Sequence, residues 1–302
     1  LGIGSFAGGG EIENNSIYNN MIGMQLGQVS GVWATAPTAG LIIKSNDITD
    51  NTLGIWVQDI VPDGISAHYN NIVGNTEYGV TNEDPDNDIF DATLNWWGDP
   101  SGPSGVGSGT GDAVSGNVDF DPWLTASVTI ASSRTGTNEW LEFPESNVDI
   151  YVDGSAEVYV ATYESNPGTG FMGDIGNYID VYVPDISGLS ELEIRKYYTD
   201  EEIEALGLVE HSLRLYWWDG ANWIQCSDTG VNTADNYIWA RIGIDTTPSL
   251  TDLGGTPFGA AGRIPVGGVV LPIDNLYLIV WWLLITTIIV MGILIIIRKK
   301  HL

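Results

Sequence analysis

Cysteine, histidine and basic side chains are all scarce in this sequence. Its 302 residues include one cysteine, three histidines and 10 lysines and arginines, against 39 aspartates and glutamates. The lone thiol, Cys226, cannot form an intrachain disulfide, so stability has to come from packing or from bound cations. The formal net charge of −29 repels nucleic acid and anionic lipid headgroups, which excludes both as partners of the soluble part.

Charge is also absent from one long stretch near the C-terminus. Residues 276–297 are uncharged, and as a helix they would be roughly 33 Å long, which matches a hydrocarbon core of about 30 Å. Asp274 precedes this stretch and the basic tail 298–302 follows it, so the positive-inside rule places the tail in the cytoplasm. The sequence predicts a single-pass protein of the cell membrane, with its ectodomain outside and its C-terminus in the cytoplasm.

A retained anchor has two alternatives. One is a buried core helix, although a helix in a soluble core does not need to be apolar on every face. The other is a processed sorting signal, since such signals also combine a motif, an apolar stretch and a basic tail. Residues 271–275 (LPIDN) resemble an LPxTG sorting motif only in their first two positions. We therefore favour a retained anchor.

An export signal is missing from the start of the sequence. Residues 1–10 are Gly-rich and uncharged, and they contain neither an initiator Met nor a basic segment followed by an apolar one. Since an ectodomain needs such a signal, we expect the sequence to be a fragment whose upstream part is missing. Any chemistry in that upstream part is then invisible in these residues.

Asparagine, isoleucine and glycine recur at a fixed spacing in the first 80 residues. The pattern Asn-x-Ile-x-x-Asn-x-x-Gly begins at Asn15, Asn46 and Asn70, with one extra residue before the last glycine. Such a period is typical of one coil of a solenoid, which buries its apolar side only by stacking on its neighbours. We expect stacked asparagines to bond to the backbone of the turns, and glycine to supply the positive φ of each corner.

The repeats run into a distinctive segment, Asp91-Ala-Thr-Leu-Asn-Trp-Trp-Gly, which is followed by residues 116–124 (GNVDFDPWL). Together they resemble the right-handed parallel β-helix of the pectate-lyase-like and NosD-like superfamily, including the terminal coil and cap found in prokaryotic surface proteins. The resemblance covers roughly residues 1–125. A cap is physically required, because an open solenoid end exposes strand edges and core.

The superfamily includes polysaccharide lyases and hydrolases, but fold alone does not decide function. Before Arg134 the only basic side chains are Lys44 and His68, and no Gly-His-Gly or Arg-Ile-Lys pattern occurs. We expect Lys44 to lie on a solvated face of a coil and His68 to be structural. The sequence thus predicts no catalytic residue in this fragment, and an active groove in the missing upstream part is the alternative.

Two groups of residues near the cap are candidates for ligand binding. Asp84, Asp86 and Asp88 alternate in a loop and could wrap Ca²⁺, a hard ion that takes six to eight oxygen ligands. A plain acidic loop at the surface is the simpler interpretation. Trp96 and Trp97 either plug the end of the solenoid or form a platform on which a sugar stacks.

Aromatic-rich alternating runs replace the repeats in residues 126–253. They are typical of short strands in a β-sandwich. Residues 194–202 (IRKYYTDEE) and 213–220 (LRLYWWDG) resemble membrane-proximal sandwich modules of prokaryotic surface proteins. The run Thr199–Glu202 predicts a capping box at the start of a helix. Strand alternation places Trp217 and Trp218 on opposite faces, so Trp218 is a candidate for carbohydrate binding, with a core position as the alternative.

The predicted fold class is all-β followed by one membrane helix. Its parts are the C-terminal coils of a right-handed parallel β-helix, a β-sandwich, a flexible Gly/Pro-rich stalk, one transmembrane α-helix and a cytoplasmic tail, at residues 1–125, 126–253, 254–275, 276–297 and 298–302.

These features predict a membrane-anchored extracellular protein with a structural or adhesive role. Surface glycans are the candidate ligands, and Ca²⁺ is the candidate ion. A membrane-tethered polysaccharide lyase or hydrolase is the alternative function. A role in copper handling, as in NosD-type proteins, is disfavoured because histidine and cysteine are so scarce.

Overall fold

Three parallel sheets make up the first part of the chain. The computed structural model describes residues 10–27, 40–58, 64–84 and 88–265. The strands of the first part are β1 (Gly10–Glu13), β2 (Ser16–Tyr18), β3 (Ile22–Gly27), β4 (Leu41–Lys44), β5 (Asp47–Thr49), β6 (Leu53–Gln58), β7 (Ser66–His68), β8 (Asn71–Val73), β9 (Tyr78–Glu83), β10 (Phe90–Asp91), β11 (Pro103–Gly105), β12 (Gly111–Val114) and β13 (Val118–Asp119).

The first three coils each contribute one strand to each of the three sheets, and the strands after them extend only two of the sheets. The sheet orders are β1-β4-β7-β10-β13, β2-β5-β8 and β3-β6-β9-β12-β11, and all neighbours are parallel. Equivalent residues of successive coils stack in register, as Ile17, Ile48 and Ile72 do. The inward apolar side chains form one buried cluster. We call this part, residues 10–124, the β-solenoid, and it confirms the repeat inferred from the sequence.

Two ladders of hydrogen-bonded side chains, all asparagines except for one aspartate, hold the coils together. The first ladder consists of Asn15, Asn46, Asn70 and Asn95, and the second of Asn20, Asn51, Asn75 and Asp112. In both, the side-chain oxygen of one coil accepts a hydrogen bond from the backbone N–H of the coil before it, at 2.8–3.1 Å. The amide groups of the inner asparagines also donate to backbone carbonyls of that preceding coil, as Asn46 does to Ile12. The predicted stacking of asparagines is thereby confirmed.

The glycines of the repeat have a different role from the predicted one. Positive φ occurs at the residue before each first-ladder asparagine: Asn14, Ser45, Tyr69 and Leu94. Gly54 does not have a positive φ, and a Cβ added to it would lie 2.4 Å from the carbonyl oxygen of Gly79. Glycine is required there because the backbones of neighbouring coils approach too closely for any side chain.

Replacing Gly54 with alanine is expected to lower the free energy of unfolding by about 2–3 kcal/mol, because the new methyl group has to displace backbone. Gly116→Ala is the matched control, since its Cβ would meet no atom within 4 Å. Urea unfolding of both variants measures the difference. Equal stabilities of the two variants would contradict the close approach of the coils.

Nine antiparallel strands and one short helix make up the rest of the described chain. They are β14 (Val128–Phe143), β15 (Val148–Tyr163), β16 (Ile179–Tyr182), β17 (Leu189–Tyr197), α1 (Asp200–Leu206), β18 (Val209–Trp218), β19 (Trp223–Gln225), β20 (Thr229–Asn232), β21 (Tyr237–Gly243) and β22 (Gly254–Arg263), with 3₁₀ turns at Pro144–Ser146 and Leu250–Asp252. We call residues 128–263 the antiparallel region. It belongs to the same compact unit as the β-solenoid.

The predicted β-sandwich is in fact one continuous sheet. The long strand β15 pairs with β14 along one edge, and along the other edge with β17 through its first half and β16 through its second. Two branches therefore leave β15, one through β16, β22, β18 and β19, the other through β17, β21 and β20. They face each other across a shared core, and Leu215 N–H of the first branch donates to Thr229 Oγ1 of the second at 3.0 Å.

The predicted stalk at residues 254–275 is wrong in its first part. Gly254–Arg263 form β22, which lies between β16 and β18 within the sheet. Small residues suit this position because the backbone is approached closely: a Cβ on Gly255 would lie 2.1 Å from Leu94 Cδ2 of the β-solenoid. Residues 266–275 lie outside the described part of the chain.

The predicted helix start is confirmed. Thr199 Oγ1 accepts from Glu202 N–H at 3.2 Å, and the Glu202 carboxylate accepts from Thr199 N–H at 2.8 Å, which forms the capping box of α1. The helix ends at Gly207 with φ 63°. Local sequence alone was enough here, because both partners of the cap lie three residues apart.

The predicted fold class needs correction with respect to the membrane. Across residues 10–27, 40–58, 64–84 and 88–265, the helix α1 has seven residues and no helix is long and apolar enough to cross a membrane. The predicted transmembrane helix at 276–297 and the tail at 298–302 lie outside those residues. The described chain is therefore all-β with one short helix.

Candidate functional site at the solenoid–sheet junction

The corner residues of three successive coils point into the antiparallel region. Ser45, Tyr69 and Leu94 have φ between 54° and 57°, and their backbone groups stack, with Ser45 N–H donating to Tyr69 O and Tyr69 N–H to Leu94 O. Positive φ is unfavourable for bulky residues such as tyrosine and leucine. It is retained here because it directs both side chains into a buried cluster with residues of β14 and β15.

Side chains of the β-solenoid cover the free edge of β14. Ser45 Oγ donates to Ala131 O at 3.1 Å and accepts from Ala131 N–H at 2.7 Å. One coil further on, Asn71 Nδ2 donates to Val128 O at 2.8 Å, and Asn71 Oδ1 accepts from Val128 N–H at 3.0 Å. An uncovered edge strand would present these backbone groups to other chains. At the start of β14, the two coils thus take the place of a neighbouring strand.

A buried carboxylate joins the two parts at the centre of the junction. Asp180 on β16 is fully buried, and its two oxygens accept hydrogen bonds of 2.8 Å from the hydroxyls of Tyr69 and Tyr163. Burial raises the pKa of Asp180 to about 6, against the lowering effect of the two hydroxyls. Burial and the charge of Asp180 raise the pKa of both tyrosines well above the usual value, so they remain donors at neutral pH.

His68 forms a second polar contact at the edge of the junction. Its Nε2 lies 3.0 Å from Asp91 Oδ1 and 3.3 Å from Thr93 Oγ1, and its ring packs edge-on against Tyr159 and Tyr182. Burial opposes ionisation of Asp91, but the hydrogen bond and the charge of His68 prevail and lower its pKa. Nδ1 of the imidazole is buried and has no hydrogen-bond partner within the described part of the chain.

The chemistry of this junction suits docking better than turnover. Asp180 accepts hydrogen bonds from two tyrosine hydroxyls, and Asp91 contacts the imidazole of His68. Burial also raises the pKa values of the neighbouring Tyr159 and Tyr182. A catalytic nucleophile would need the opposite shift. Lys44, predicted to be solvated, is also buried, with its amine 2.8 Å from Glu11 Oε1 and 3.7 Å from Glu13 Oε2.

The predicted calcium loop is described only at its ends. Asp84 is buried, and its Oδ2 accepts from Asp88 N–H at 2.9 Å, while its Oδ1 has no hydrogen-bond partner among the residues that the structure describes. Asp86 lies outside the described residues. Among the residues that are described, no group of three or more His, Cys, Asp or Glu side chains is placed to hold a metal ion. Ca²⁺ binding by this loop stays a prediction.

The three tryptophans predicted to bind carbohydrate lie in three different places. Trp97 is fully buried in the core of the β-solenoid, whereas Trp96 packs from outside against the junction cluster. Trp218 is half-buried beside Trp223, with ring centroids 5.6 Å apart. A Cβ on Gly168 would lie 2.5 Å from the Trp218 ring, so the loop at Gly168 already covers one face of this indole. The structure brings no two of them into one platform.

Sequence patterns had not pointed to the residues that build the junction. Tyr69, Tyr163 and Asp180 are not among the recurring Asn, Ile and Gly positions, and the Tyr69–Asp180 contact joins residues 111 positions apart. One signal was available, since Tyr69 and Leu94 occupy the corner that precedes a ladder asparagine. A large side chain at that position of a coil has to be buried against something outside the β-solenoid.

Comparisons with known proteins add little to this geometry. No family model matches the chain, and no curated protein matches it. Among solved structures it is similar to one described as the crystal structure of the Dettilon tailspike protein (gp208), with 14% sequence identity and a TM-score of 0.16. The alignment covers 85% of this chain and 52% of that chain, so the chain spans about half the length of the tailspike. Function therefore has to be argued from the residues themselves.

Proposed function

We propose that this protein is an extracellular structural and adhesive protein that displays its β-solenoid, a right-handed parallel β-helix of the pectate-lyase-like and NosD-like kind, to glycans at a cell surface. The observation that supports the proposal best is the covered edge of β14. Ser45 and Asn71, from two successive coils, each make a pair of hydrogen bonds to its backbone. Because two successive coils are hydrogen-bonded to β14, we expect the β-solenoid to extend rigidly from the sheet.

Charge and polar surface suit the same role. A net charge of −29 keeps crowded molecules at a surface from associating nonspecifically. The exposed faces of a solenoid offer repeated, evenly spaced side chains, and extended surfaces of this kind bind long polymers. Glycans are the polymer class that an acidic surface tolerates, provided that the glycan is not strongly anionic.

Binding to a glycan array tests the proposal. The full chain should bind a subset of neutral or cationic glycans, and the same preparation should release no reducing ends or unsaturated products from the bound polysaccharides. The control is the chain unfolded in urea and applied at equal concentration, which should lose the binding. Cleavage of a bound polysaccharide, or equal binding by the unfolded chain, would contradict a non-catalytic adhesive role.

A further inference from the structure

A pocket opens at the capped end of the second ladder. It has a volume of 380 Å³ and is lined by residues 73–77, by Trp97 and Gly98, and by residues 104 and 110–113. Pockets that hold small molecules have volumes of roughly 300–1,000 Å³. The walls come from β8 and the corner after it, from the cap segment at Trp97, and from β11 and β12, so three stacked backbone segments fix the shape of the pocket.

Asp112 forms a hydrogen-bonded part of the wall. Its Oδ1 accepts from Gly74 N–H at 2.8 Å, and its Oδ2 accepts from Asn75 N–H at 2.8 Å and from Asn75 Nδ2 at 2.7 Å. Burial, the largest effect, raises the pKa of Asp112 despite these donors. An aspartate suits the last position of the ladder because it only has to accept hydrogen bonds, whereas the asparagines before it also donate to a preceding coil.

Other polar groups of the pocket are free to meet a ligand. The side chains of Thr76 and Glu77 are exposed and make no hydrogen bond within the described residues. Their backbone N–H groups bond to Asn51 O and Thr52 O at 2.8 and 2.9 Å, which fixes their position on the rim. Trp97, whose side chain is fully buried in the core of the β-solenoid, closes the floor of the pocket and offers no exposed polar atom of its side chain.

The lining also determines the charge of the ligand. Glu77 and Asp112 contribute carboxylates, and the described residues that line the pocket include no lysine, arginine or histidine. An anionic sugar, such as a uronic acid, would enter a negative field without a counter-charge. A neutral sugar donates hydroxyl hydrogens to a carboxylate, and an amino sugar adds an ammonium group that pairs with it.

We infer that this pocket binds one neutral or amino sugar unit of a glycan, with Glu77 as the principal hydrogen-bond acceptor. The inference rests on the proposed adhesive function and assigns a place and a sugar class to it. The ligand lies outside the sheet faces of the β-solenoid, at a corner where the cap closes the second ladder. Glu77 is exposed, and its side chain makes no hydrogen bond or ion pair within the described residues, so we expect its replacement to leave the fold intact.

Calorimetric titration of the full chain with chitosan, dextran and oligogalacturonate oligosaccharides tests the assignment. We expect binding of the amino sugar or the neutral sugar and at least tenfold weaker binding of the uronic acid. Glu77→Gln should weaken the binding of that sugar about tenfold, since a hydrogen bond to a charged carboxylate is replaced by one to a neutral amide. Glu142→Gln, an exposed carboxylate on β14, is the matched control and should bind like the unaltered chain.

The outcomes separate the two proposals. Sugar binding that Glu77→Gln leaves unchanged overturns the pocket assignment while the adhesive function stands. Preferred binding of the uronic acid also overturns the assignment, because the described lining of the pocket offers no cation to receive it. If none of the three sugars binds, the pocket assignment is overturned. If the glycan array shows no binding as well, the adhesive function is also contradicted.

Discussion

Replacing Asn70 with alanine is expected to lower the free energy of unfolding by about 4 kcal/mol. Asn70 is fully buried, and its Nδ2 donates to Ile43 O and to Asn95 Oδ1, both at 2.9 Å. Its Oδ1 accepts from the backbone N–H and the Nδ2 of Asn46 at 3.1 and 2.9 Å. Each buried group left without a partner costs about 1–3 kcal/mol, and the variant leaves several in one place.

The same ladder provides the control for this experiment. Asn15 is exposed at its first position, where its amide contacts Glu13 O and Asn46 Oδ1 at 2.9 and 3.0 Å. Water replaces the lost partners at an exposed site, so Asn15→Ala should cost about 1 kcal/mol or less. Urea unfolding followed by tryptophan fluorescence measures both variants. A cost at Asn70 no greater than that at Asn15 would contradict the ladder as the main link between coils.

Replacing Asp180 with asparagine is expected to remove a pH dependence from the stability of the protein. Burial raises the pKa of Asp180 from its ordinary value of 3.8 to about 6. Since the folded state then binds the proton more tightly than the unfolded state, this contribution to stability is complete below the unfolded pKa and is lost as the pH rises through about 6. A shift of about two units corresponds to about 3 kcal/mol.

The difference in unfolding free energy between the original chain and Asp180→Asn isolates this group, because the other carboxylates cancel. That difference should shift by about 2 kcal/mol in favour of the variant between pH 4 and pH 7, since part of the contribution is already lost at pH 4. Asp185→Asn is the control: hydrogen bonds from Ser187 lower the pKa of the exposed Asp185, so any change there has the opposite sign. A difference for Asp180→Asn that does not vary with pH would contradict a buried, ionisable Asp180.

Tyr163→Phe gives the Asp180 result a second check. The variant removes one of the two hydroxyls that stabilise the ionised carboxylate, so the pKa of Asp180 should rise further. Carboxyl ¹³C resonances followed through the titration report that pKa directly. A pKa that stays in place would mean that Tyr163 does not donate to Asp180 in solution.

Much of the β-solenoid could be predicted from the sequence because its information is local and repeated. Asn15, Asn46 and Asn70 occupy equivalent positions in successive coils, and the backbone N–H of each of the first two donates to the side-chain oxygen of the next. The role of glycine was misjudged for a related reason. A period reveals which residue recurs, but it does not distinguish a positive φ from a close backbone approach such as that of Gly54 to Gly79.

The antiparallel region was predicted less well because its contacts join distant residues. Alternation indicated strands, but it did not indicate that β15 would pair on one edge with both β16 and β17. The Gly-rich run at 254–263 lacks a strand pattern but forms a central strand, in which Gly255 lies too close to Leu94 for any side chain. Such a requirement exists only once the β-solenoid and the sheet are packed together.

The sequence by itself determined the coils, the two ladders, the capped helix start and the acidic charge, because each of these depends on residues that are neighbours or repeats. Tertiary structure alone decided which polar residues are buried. Lys44 and His68 are buried, and Asp180 accepts hydrogen bonds from two tyrosine hydroxyls that are far apart in the sequence. Burial and its partners change the pKa of a carboxylate, and no pattern of neighbours along the chain encodes that environment.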